Sequence, residues 1–169
     1  MALTIFDLSI PALVRGLNNL SALLDKAVAF AEAKKIDSEV LVQARLFPDM
    51  HPLVKQVQMT CDTAKGAAAR LAGIAPPSHS DNEVSVADLK ARIAKTLEFV
   101  NSIKPEQMQN AESRAIEMKT PRVTLQFTGL SYLSGFVLPN FYFHTSMVYA
   151  LLRHNGVDVG KMDFLGPIQ

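Results

Sequence analysis

The sequence predicts an all-α fold: a four-helix bundle with one small β-hairpin just before its last helix. Three observations predict it. Four stretches repeat apolar residues at three- and four-residue intervals, as a helix with one buried face requires. One pair of short stretches instead alternates apolar with polar residues, the period of a strand. The chain is 169 residues long, enough for one core without disulfide or metal staples, so residues 1–169 read as a single domain.

The first helix is read from Ser9, where Leu13, Leu17, Leu20, Leu24, Val28 and Ala31 form the stripe and Pro11 is tolerated in the first turn. Asp49 is placed to cap the second, whose stripe is Val54, Val57, Cys61, Ala64, Ala68 and Leu71, with Gly73 as its stop. The Pro- and Ser-rich text "GIAPPSHSDNE" then reads as a connecting loop. Ser85, followed three residues later by Asp88, opens a third helix with a capping box, and Val86, Leu89, Ile93, Leu97 and Val100 face its core. The period then changes. Ile116 and Met118, then Val123, Leu125 and Phe127, alternate with polar residues on either side of a Thr120-Pro121 turn, which makes a hairpin. The text after Gly129 is the fourth helix, stopped by Gly156 and kinked at Pro139.

Composition narrows the partners. Seventeen Lys and Arg against sixteen Asp and Glu leave a formal charge of +1, which provides no broad field for nucleic acid or an anionic membrane. Residues 123–152 contain no Asp, Glu, Lys or Arg, but Gln126, Asn140 and His144 are spread along them, so a buried helix is expected rather than a membrane span. The lone cysteine, Cys61, has no CxxC or His/Asn context. With "MALTIFDLSI" lacking a basic n-region, a cytoplasmic location is expected.

No HExxH, P-loop, GxSxG or GxGxxG motif is present, so chemistry has to be sought among individual polar residues. His144 falls on the stripe Leu130, Leu133, Val137, Asn140, His144, Met147 and Leu151, which turns it inward, with Asn140 placed to hydrogen-bond it. It is either a satisfied core histidine or a ligand. His51 shares the polar side of the second helix with Lys55, Gln58, Asp62 and Lys65, the pattern of a solvated face. Asp49 has its capping role, while His79 in the loop and His154 at a helix stop read as surface residues.

Three blocks, "PDMHPLVKQVQMTCDTAKGAAARLAG", "FTG" and "LPNFYFHTSMVYALLRHNGVDVGKMDFLG", resemble an uncharacterised bacterial family within the DinB-like superfamily. The resemblance implies a bundle of up-down-down-up topology, shared with metal-dependent thiol S-transferases. Those proteins hold a divalent ion with a histidine near the start of the second helix and an HxxxH pair on the last. His51 and His144 match two of these positions, and the third is Val148. The favoured functional reading is therefore a bundle without an intact metal triad, needing no cofactor, whose cleft near Asn140, His144 and Tyr149 binds a small apolar or thiol-bearing ligand. The alternative is a metal-dependent enzyme, such as a thiol S-transferase, that holds Zn or Ni with His51, His144 and Asp49. A homodimer is expected through the fourth helix, because its aromatic and aliphatic side chains cover more of its circumference than one core stripe uses.

Overall fold

The computed structural model describes residues 3–120 and 123–167. Four long helical segments form the bundle: α1 (Ile5–Lys34), α3 (Leu53–Ala72), α4 (Val86–Ser102) and the composite last helix, α5 (Gly129–Tyr132) running through a π segment (Leu133–Val137) into α6 (Leu138–His154). Short α2 (Glu39–Val42) and α7 (Lys161–Leu165) lie outside the sequence expectation, as do two 3-10 turns at Pro105–Met108 and Ala111–Ser113. The antiparallel hairpin β1 (Ala115–Lys119) and β2 (Thr124–Thr128) pairs Ile116 with Phe127 and Met118 with Leu125, so the alternating residues share one face. Val123 precedes β2, and Pro121 of the expected turn lies outside the described residues.

Local chemistry sets most boundaries. Ser85 accepts a hydrogen bond from the Asp88 backbone and the Asp88 carboxylate reaches back to Ser85 N–H, so α4 starts as read. The same reciprocal pair between Thr4 and Asp7 starts α1 four residues earlier than expected, and Pro11 therefore lies inside the helix rather than in its first turn. Asp49 does not cap α3. The N-cap is Pro52, with no side-chain hydrogen bond, and the first helical N–H, that of Leu53, donates to Ala44 O across the preceding turn at 3.0 Å. Left-handed Gly73, as expected, closes α3.

Helix α3 is the centre of the bundle, packed against α4, α6 and α1. Its "AKGAAARLA" text explains the placement, since buried Ala64, Ala67, Ala68 and Ala69 let neighbouring helices approach on several sides. Around it the core holds Leu13, Leu17, Leu20, Leu24, Leu89, Ile93, Phe141 and Val148. Phe127, Tyr132 and Phe136 cluster with ring centroids 5.6–5.9 Å apart, and Arg70 donates to the Tyr132 hydroxyl at 3.1 Å. This cluster fastens the hairpin to α3.

One expectation about α3 is overturned. Lys55, Gln58, Asp62 and Lys65 do not form a solvated face, because Gln58 and Lys65 are buried. The reason is Arg92 of α4, whose side chain is 2% exposed and which forks among Asp62 (2.7 Å), Glu83 (2.9 Å), Asp81 (3.0 Å) and Ser80 O (3.0 Å). Gln58 donates to the other Glu83 oxygen, Lys65 pairs with Asp62, and Lys55 pairs with Asp81. The network holds the loop between α3 and α4 down over both helices.

Candidate functional site

The last helix does not keep one helical period. In the π segment each N–H reaches one residue further back than in an α-helix, and Pro139 just beyond it has no N–H to give. The extra residue turns the following face. The buried stripe runs Leu133, Val137, Phe141, Thr145, Val148 and Leu152, not through Asn140, His144 and Met147, which are half-buried on its flank. His144 is thus at the edge of the core, where α6 meets α3.

Its partner is not Asn140. The Asn140 amide donates back along its own helix to Phe136 O at 2.6 Å, while His144 Nδ1 lies 2.8 Å from Gln56 Oε1 on α3. Gln56 is itself oriented, because its Nε2 donates to His51 O at 3.3 Å. With the amide nitrogen committed there, the Gln56 oxygen faces His144, and the imidazole carries its proton on Nδ1. Nε2 is then the basic nitrogen. Burial pushes the His144 imidazole below its ordinary titration range, and nearby His51 adds to the push, so the ring is neutral at physiological pH.

The structure brings some of the sequence-identified residues together and separates others. His51 and His144 occupy one neighbourhood, joined through Gln56. His51 stands in the exposed turn before α3 rather than on the helix, and Asp49 is exposed two residues earlier. Tyr149 turns towards the C-terminal segment, its hydroxyl 3.4 Å from Val159 O and its ring against Phe164. Val148 is fully buried where an HxxxH pair would place its second imidazole. Among the described residues, no group of three or more His, Cys, Asp and Glu side chains is arranged to hold a metal ion. The donor set therefore does not fit the three-histidine centre that the resemblance implies. Cys61 is buried, and its burial raises the thiol to about 12, which leaves it without thiolate for nucleophilic work. Gln56, which completes the site, has no marking motif in the sequence.

The family described as Domain of unknown function (DUF1993) matches residues 5–165. The chain belongs to that family. A solved structure of a DinB family member protein from Shewanella denitrificans is 42% identical, with a TM-score of 0.88, over 96% of this chain and 92% of that one. The DUF1993 chain is thereby a DinB family bundle as well, as the sequence resemblance implied. No curated protein matches it. Among the described residues, no helix of this family member is long and apolar enough to cross a membrane.

Proposed function

We propose that this DinB-like protein works without an intact metal triad and binds a small ligand at the α3–α6 edge, where Nε2 of His144 is the recognition atom. The bond from His144 Nδ1 to Gln56 Oε1 carries this reading, because it leaves a neutral imidazole with one oriented, basic lone pair. Such an atom accepts from a thiol or hydroxyl, and half-buried surroundings strengthen the bond. Val148 in the core argues against a second imidazole from α6. A small thiol, 2-mercaptoethanol, titrated into protein with 15N-labelled histidine is expected to shift His144 Nε2 and leave Nδ1 nearly unmoved. A titration in which His144 Nε2 does not respond defeats the reading.

One observation favours the metal-dependent alternative, a thiol S-transferase type of enzyme. Metal-bound imidazoles commonly donate their other ring N–H to an oxygen, as His144 does to Gln56. In that reading His144, His51 and Asp49 are the protein ligands, and the exposed turn that carries Asp49 and His51 has to close on α6, because among the described residues the three are not arranged to hold an ion. Elemental analysis separates the two: about one tightly held Zn or Ni per chain, lost in His144→Ala, establishes the alternative.

A homodimer in the cytoplasm remains part of the proposal. Between Gly129 and Leu152 the exposed side of α5 and α6 carries Leu130, Tyr142 (42% exposed) and Phe143 (55% exposed), interspersed with Ser131, Ser134, Pro139 and Ser146, and that stretch holds no charged residue; the first is Arg153 in the last turn. A two-fold axis places a patch against itself, so an uncharged patch meets no like-charge repulsion. Sedimentation should give the dimer mass for the parent chain and the monomer mass for Phe143→Glu; a parent chain that is monomeric at tens of micromolar refutes the dimer.

A further inference from the structure

Away from His144, the loop before α4 and that helix border an open cavity of about 530 Å³ lined by His79, Asn82, Glu83, Asp88, Arg92 and Lys95. Two carboxylates and two cations make it formally balanced, but the two signs are not equally available. Glu83 gives one oxygen to Arg92 and the other to Gln58. Asp88 is committed to the backbone N–H groups of Val84 and Ser85 at the helix start. Glu83 is thereby spent, whereas Asp88 engages through Oδ2 alone and is exposed.

The donors are not spent. Arg92 uses its two terminal nitrogens on Asp62, Asp81, Glu83 and Ser80 O, yet its Nε–H is buried without a partner among the described residues. The Arg92 side chain is 2% exposed, so leaving that N–H unmatched carries the full cost of removing it from water. Among the described residues His79 Nδ1 is likewise buried without a partner, and Lys95 is in no ion pair. A neighbouring depression beside Phe99 is lined by His79 and Lys95 too, so both residues border open space on two sides.

We infer that this cavity is a binding site for a small oxyanion, a carboxylate or phosphate group whose oxygens accept from Arg92 Nε, His79 Nδ1 and the Lys95 ammonium. One planar or tetrahedral group with two or three acceptor oxygens suits donors carried by three side chains that line one cavity, on α4 and on its pinned loop. The site is independent of the His144 neighbourhood, so either can fail without the other.

NMR titration of the full chain at constant ionic strength tests it, with inorganic phosphate in one arm and acetate in the other. Saturable shifts at His79 and in the loop around Asn82 are expected in at least one arm, and which arm binds tighter tells phosphate from carboxylate. Lys95 is exposed on α4, so Lys95→Met should fold as the parent does, and its affinity should drop about tenfold for loss of one charge-assisted hydrogen bond. His79→Ala should weaken binding as well, while His144→Ala leaves it unchanged. Shifts that never saturate in either arm, or an affinity that Lys95→Met does not alter, overturn the site.

Discussion

Arg92→Met isolates the buried charge network, since methionine roughly keeps the volume and removes every hydrogen bond. Four acceptors lose a donor, but their losses differ. Asp62 and Asp81 are 44% and 42% exposed and keep Lys65 and Lys55, so water and the remaining cations largely compensate them. Glu83 is 9% exposed and keeps the Gln58 amide and a backbone hydrogen bond but no cation, and Ser80 O loses its guanidinium donor. Stranding one partner of a buried pair typically costs about 3–5 kcal/mol, and the loop can partly swing Glu83 into water, so about 3 kcal/mol is expected. For a domain of this length that is a fall in Tm of about 6–12 °C. Urea denaturation measures it, and Glu83→Gln in the same background should recover about 1–2 kcal/mol, because the stranded charge is then gone. A loss below about 1 kcal/mol for Arg92→Met, or strict additivity with Glu83→Gln, would show that the network does not hold the loop.

Three further outcomes follow from particular contacts. Ser85→Ala removes the hydroxyl that caps α4 and should cost about 1 kcal/mol, with faster amide exchange confined to the first turn. A Cβ at Gly16 would enter the ring of Phe141, so Gly16→Ala should lose about 1–3 kcal/mol from overpacking, and Phe141→Leu should restore part of it in a double variant. Stability should also fall in two steps on acidification. Burial first, then Lys65, Lys95 and Arg92, hold the His79 imidazole below its ordinary 6.5. The unfolded chain therefore takes up that proton first, and stability drops as pH falls below 6.5 until the folded imidazole protonates as well. The second step is carboxylic. The Lys55 hydrogen bond lowers Asp81 from 3.8; at Glu83, burial alone would raise the carboxyl, but bonds from Arg92 and Gln58 outweigh it and hold it below 4.5. Their contribution is present above those ordinary values and is lost as pH falls through the lower folded ones. Midpoints measured from pH 8 to 3 check both steps; His79→Ala should shrink only the upper one, and the part that remains belongs to His144, which is also held below 6.5.

What the sequence determined by itself lies within a few residues along the chain. Ser85 and Asp88 fix the start of α4 because both groups of the capping box are inside one turn, and the alternation around Ile116 and Phe127 fixes which residues share a hairpin face. The family, too, was legible, because the "PDMHPLV" and "LPNFYFHTSMVYALLRHNG" blocks are contiguous text. Other decisions needed the third dimension. Helix α3 starts at Leu53 rather than under an Asp49 cap because Ala44 O is brought to its first N–H. The π segment inserts a residue into the turn before α6, which moved the buried face onto Phe141 and Thr145 and left His144 on the rim. Lys65 and Gln58 look solvated on a helical wheel, and they are buried because Arg92, from the next helix, needs carboxylates that they help to hold. His144 acquired its tautomer from Gln56, 88 residues away, through an amide already oriented by His51 O. Local periodicity sets which side of a helix is apolar, but which polar atom meets which is set by packing, because a hydrogen bond depends on ångströms that only the assembled bundle supplies.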